Sequence, residues 1–202
     1  MNRFSSWGAA TCAAVLAFAA ISVAHAEDAG REAVSPDGKI RVFIKTEAEK
    51  STAPAGGQRD SLWISEGGRE RLLAAPRVGE KAEEQFQSFN NLVFAPDGRS
   101  VYVVADAWVT SGAVHRIDLA TGKERYITSA NDLRVIVSGK YKGDLLVRKH
   151  RYYHGGGSYD PLALVSPSGK ELLKTVPGAG NDGDPHDDNG RAWLKRNHAT
   201  AR

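Results

Sequence analysis

Apolar and polar residues alternate along this chain in short runs, and each run ends at a turn built from Gly, Pro, Asp or Ser. The alternation is clear in Ile40-Arg41-Val42-Phe43-Ile44, where it holds as far as Phe43. A period of two is what a half-buried strand requires, because successive side chains point to opposite faces. Further strands are predicted at Val101-Tyr102-Val103-Val104, from Val114 to Leu119 and at Tyr126-Ile127. Beyond these, the short apolar runs Arg134-Val135-Ile136-Val137, Leu145-Leu146-Val147, Leu162-Ala163-Leu164-Val165 and Leu172-Leu173, bounded by turn residues, also read as strands.

The punctuation recurs too. Pro36-Asp37-Gly38 and Pro96-Asp97-Gly98 each precede a strand, and Gly68-Arg69-Glu70, Gly122-Lys123-Glu124 and Gly169-Lys170-Glu171 each follow one. In Pro-Asp-Gly, Pro presets the first central angle, Asp bonds back to nearby amides and Gly accepts positive φ. Repeats of this kind complete each unit's hydrophobic face against a neighbour. The chain therefore reads as an all-β domain over 27–176, with three tandem four-stranded antiparallel meanders at about 34–75, 89–129 and 133–176. Helical periodicity is absent, apart from a polar linker or short helix at 76–87. From Pro177 the chain turns to Gly, Asp, Asn and Arg, with Trp193 and Leu194 its sizeable apolar groups, so 177–202 reads as a polar tail, disordered or loosely docked.

The first 26 residues differ in kind. Arg3 precedes an apolar stretch from Ala9 to Val23, and Ala24-His25-Ala26 matches a small-x-small processing site. This predicts a Sec-type signal peptide with cleavage near Ala26, a secreted or periplasmic address, and no membrane span after cleavage. Cys12, the sole cysteine, would leave with it, so the mature domain is held by burial without disulfides. Losing Arg3 leaves 26 cationic against 24 acidic residues, a balance of +2. So even a balance gives no global field for nucleic acid, and no nucleic-acid partner is expected.

One stretch carries a family resemblance. Phe94-Ala95-Pro96-Asp97-Gly98-Arg99-Ser100-Val101-Tyr102-Val103 resembles the WD40-like Pro-Asp-Gly repeat of TolB-type β-propellers, and Val34-Ser35-Pro36-Asp37-Gly38 shares less of it. The resemblance implies four-stranded blades and a binding role, and it carries over no catalytic residues. Three units are fewer than the four to eight blades of a closed propeller. The expectation is thus a partial, open propeller-like array, a homodimer that closes a ring, or a β-sandwich.

Candidate chemistry concentrates in Arg148-Lys149-His150-Arg151-Tyr152-Tyr153-His154, where both strand faces become basic or aromatic. Gly155-Gly156-Gly157-Ser158 turns the chain and Tyr159-Asp160-Pro161 returns it. The hairpin predicts a binding surface of Arg148, His150, Arg151, Tyr152, Tyr153, His154 and Tyr159, joined by Trp108 from the equivalent loop of the second unit. Aromatic and cationic groups suit an envelope protein, a glycan or an acidic partner. The competing reading is a solvated hairpin whose long side chains cover its own stem.

Asp184, His186, Asp187 and Asp188 are the nearest approach to a metal set, yet their spacing fits neither a calcium loop nor a zinc pattern, and no metal or cofactor is expected. Ser158, His154 and Asp160 supply the residue types of a triad, but crowd one hairpin without a nucleophile elbow. The sequence thus favours a secreted, non-catalytic binding or protein-interaction module. A small secreted hydrolase or carbohydrate-active enzyme, and an inhibitor of an exogenous enzyme, are the alternatives.

Overall fold

Every Pro-Asp-Gly and Gly-Lys/Arg-Glu turn separates two hydrogen-bonded antiparallel strands. The computed structural model describes residues 30–48, 58–183 and 187–202. The stretch 1–26 read as a signal peptide, Asp184 and His186 lie outside the described residues.

The first meander comprises β1 (Glu32–Val34), β2 (Ile40–Ala48), β3 (Gln58–Glu66) and β4 (Arg69–Ala74), paired in that order. The second comprises β5 (Phe89–Phe94), β6 (Ser100–Asp106), β7 (Gly112–Asp118) and β8 (Glu124–Ser129). In the third, β9 (Asp132–Val135), β10 (Leu145–Arg148), β13 (Leu162–Val165) and β14 (Glu171–Leu173) pair likewise, and the hairpin β11 (Arg151–Tyr152) and β12 (Ser158–Tyr159) projects between β10 and β13. The turn chemistry is as the residues require: Ser35 Oγ donates to the Asp37 carboxylate at 2.6 Å, and Asp97 accepts from the Arg99 amide at 3.0 Å.

The meanders stack face to face. Val42, Ile44, Leu62 and Ile64 of the first meet Val101, Val103, Ala105 and Ile117 of the second. The opposite face of the second, with Tyr102, Val104 and Val114, meets Leu145, Val147, Ala163 and Val165 of the third. Alternation along β6 thus feeds two cores, which is why all but its last residue is buried. Such packing is common to an open propeller and a sandwich; the propeller-like element is that the first strands β1, β5 and β9 lie side by side. Asn91, in a left-handed conformation within the β5 bulge, joins β9 by hydrogen bonds to the Asp132 side chain and the Leu133 carbonyl. No closed barrel forms among the described residues.

The third meander's remaining face corrects the expectation for the C-terminal tail. Its described residues include helix α1 (Asp188–Arg196), with Asp187 as N-cap accepting from the Gly190 amide at 2.7 Å. Trp193, Leu194 and Ala199 are buried on Ile136, Leu146, Leu162 and Leu164, and Trp193 stacks on Tyr141 at 5.4 Å. The last residues then run along β9, where the Arg202 amide donates to the Val135 carbonyl at 2.9 Å and the Val137 amide to the Thr200 carbonyl at 2.8 Å. The apolar face of the third sheet supplies the burial that the tail's own composition lacks. The 76–87 linker is similarly tied down: a single 3-10 turn spans Ala82–Glu84, and Phe86 is buried against Phe89 and His115.

Candidate functional site

β10 stays in the sheet as far as Arg148 and the chain then leaves the core, as the loss of alternation implied. The projecting hairpin is braced by its own side chains. Tyr153 and Tyr159 stack with centroids 4.5 Å apart, and the Tyr153 hydroxyl accepts from Asn181 Nδ2 at 3.0 Å. The His150 ring meets the Tyr152 ring edge-on at 4.9 Å, and its Nδ1 bonds the Asp160 carboxylate at 2.6 Å. Asp160 is also fixed through its backbone, which pairs with Asn181 and Gly183.

The loop between β6 and β7 stands beside this hairpin. Thr110 Oγ1 and Tyr152 Oη are 3.2 Å apart, and the loop is held by Asn131, which donates to the Thr110 carbonyl and accepts from the Gly112 amide. Trp108 leans edge-on to Tyr126 at 6.5 Å. Three large aromatic side chains remain open on these adjoining loops: Tyr152 is 69% exposed, Tyr153 46% and Trp108 39%. His154 is exposed at the tip, whereas Tyr159 is half-buried in its stack. The equivalent loop of the first unit falls largely on residues 49–57, outside the described ones.

The electrostatics differ from the basic tip read in the sequence. Lys149 Nζ donates to Glu171 at 3.2 Å and to Thr128 at 2.8 Å, and Arg151 donates to the same Glu171 oxygen at 2.5 Å. Arg148 is half-buried at the end of β10. Lys149 and Arg151 therefore share one carboxylate from within the fold, and His150 is bonded to a second, Asp160. What the hairpin offers outward is aromatic rings, hydroxyls and amides. Glu171 and Asn181 were not legible as parts of this surface, since each reaches it from a different turn of the chain.

The other candidates separate. Asp187 caps α1 and Asp188 pairs with Arg191 at 2.8 Å, so both have structural work. No group of three or more metal-ligating side chains occurs among the described residues. Asp160 takes His150 as its partner rather than His154, and Ser158 has no described side-chain bond to either, so the triad types do not assemble. No helix among the described residues is long and apolar enough to cross a membrane, which says nothing of a β-barrel.

No family model matches the chain, and no curated protein matches it. Among solved structures it is similar to the crystal structure of TolB from Acinetobacter baumannii, at 13% identity and a TM-score of 0.42, over 72% of this chain and 32% of that one. The chain spans about a third of that protein's length. Likeness at this level assigns neither family nor activity, and function is argued from the surface itself.

Proposed function

We propose that the protein is a non-catalytic binding or protein-interaction module of the periplasm or extracellular space, with recognition at the joined loop face of Trp108, Tyr152 and Tyr153. The observation that carries this reading is the exposure of three large aromatic rings on two loops that are themselves pinned by hydrogen bonds. Rigid aromatic groups bring contact area at low entropic cost and anchor interfaces for that reason. The address rests on the leader-like residues 1–26.

Internal pairing of Lys149, Arg151 and His150 favours an envelope protein or glycan surface that stacks and hydrogen-bonds over one that is strongly acidic. The test is affinity capture from cross-linked envelope extract with the protein and with a Trp108→Ala/Tyr152→Ala/Tyr153→Ala variant. A partner held by the parent and lost by the variant is the expected result. Retention of every partner by a folded variant would remove the loop face from consideration.

A further inference from the structure

At the opposite end of the stack, a row of the repeat departs from its apolar pattern. In the first meander Val42 faces Ile64 across β2 and β3, and in the third Leu146 faces Leu164 across β10 and β13. All four are at most 3% exposed. In the second meander the corresponding pair is Tyr102 and Arg116. An apolar pair closes that row in both neighbouring units, so core packing alone gives no reason for a phenol and a guanidinium here.

Beside this pair lies a cleft of about 370 Å³ between the second and third meanders, walled by Pro96, Tyr102 and Pro167 and bordered by Asp97, Arg116 and Lys142. Tyr102 is 1% exposed, its ring within the core and its phenol pushed up by burial. Arg116 is aimed by its neighbours: Nε donates to Ser100 Oγ at 2.8 Å and the guanidinium lies 3.6 Å from the Asp97 carboxylate. Lys142 is exposed, and its ammonium has no ion pair among the described residues. With Arg125, which donates to the Pro167 carbonyl, and Asp144 also acting on the Tyr102 phenol, three cations stand against two acids and leave a single positive charge next to apolar walls.

We propose that this cleft binds a small monocarboxylate with an apolar body, the carboxylate meeting Arg116 and Lys142 and the body lying against Pro96 and Pro167. A planar guanidinium suits a carboxylate because both form paired, parallel hydrogen bonds. The proposal is independent of the loop face at the other end of the strands.

The experiment is amide-resolved NMR of the protein titrated with phenylacetate, its neutral amide and acetate. Phenylacetate should give saturable shifts at Gly98, Gly143 and Ser168, with the amide and acetate each weaker by about tenfold or more. Arg116→Ile, which installs the first meander's residue, should weaken phenylacetate by about tenfold, and Lys142→Gln by about threefold. Lys142→Gln alters an exposed head group and decides the matter should Arg116→Ile fail to fold. Equal response to acid and amide, shifts confined to other regions, or undiminished binding in Lys142→Gln would overturn the proposal.

Discussion

A Cβ added to Gly169 would stand 2.5 Å from the carbonyl oxygen of Ile127, the backbone of the preceding meander's last strand. The same holds one unit earlier, where a Cβ on Gly122 would stand 2.4 Å from the carbonyl oxygen of Leu73. The repeated Gly-Lys/Arg-Glu turn is thus the contact by which each unit sits against the one before. Gly68, in the first unit, has no neighbour within 4 Å of that point. All three have positive φ, so Ala is strained at each, by about 1–2 kcal/mol. Gly68→Ala should cost only that. Gly122→Ala and Gly169→Ala should cost about 3–4 kcal/mol, since backbone must also give way. Urea denaturation of the three variants checks the ranking, and equal costs would mean that the contact is not tight.

The repeated glycines were visible in the sequence as punctuation, but what they touch was not. Alternation along β2 and short apolar runs along β6 and β13 showed the strands, and the turns ordered them into meanders, because both signals are local. Trp193 was misjudged, and Phe86 passed unread within its polar linker, for the converse reason: each looks isolated in its own segment and is buried by a face contributed from elsewhere. The hairpin's aromatic residues were legible, while the sharing of Glu171 by Lys149 and Arg151 was not, since an acid twenty residues from Arg151 has no sequence signature as its partner. The Tyr102–Arg116 row became visible only once strand register aligned it with Val42–Ile64.

Asp60 fastens the first meander to the second. Its carboxylate accepts from Arg31 at 3.1 Å, from Thr46 Oγ1 at 2.5 Å and from the buried Phe89 amide at 3.0 Å. Asp60→Ala strands that amide and should lower stability by about 2–4 kcal/mol. Asp60→Asn, which keeps one acceptor, should cost about half as much. The expected signature is a lower urea midpoint at unchanged slope, and a slope change would instead indicate that the two meanders come apart separately.

The fully buried His115 holds Glu124 at 2.5 Å through Nδ1, and Arg77 reaches the other carboxylate oxygen at 2.7 Å. Burial pushes the Glu124 carboxyl up, but the hydrogen bonds and charges of His115 and Arg77 outweigh it and leave it below its ordinary value of 4.5. A depressed folded-state value means that the unfolded chain takes up a proton first as pH falls. The pair's contribution is therefore present above about pH 4.5 and lost below it. Glu124→Gln should be less stable than the parent near neutrality by about 1–3 kcal/mol, and the gap should close as pH is lowered toward about 3. A gap that stayed constant with pH would show that the carboxylate's charge contributes nothing.

Helix α1 is held by its docking and not by its own propensity, since a nine-residue helix is below the length that is stable alone. Trp193 is 3% exposed on the third meander and stacks with Tyr141. Trp193→Ala should cost about 3–5 kcal/mol, whereas Asp187→Ala, which removes only the cap, should cost about 1 kcal/mol. Removing 188–202 would uncover Ile136, Leu146, Leu162 and Leu164 together, and the shortened protein should bind an apolar dye and aggregate. Comparison of unfolding midpoints and dye binding across the three proteins separates docking from capping. Equal losses for Trp193→Ala and Asp187→Ala would mean that helix formation, and not burial, limits the attachment of the C-terminal segment.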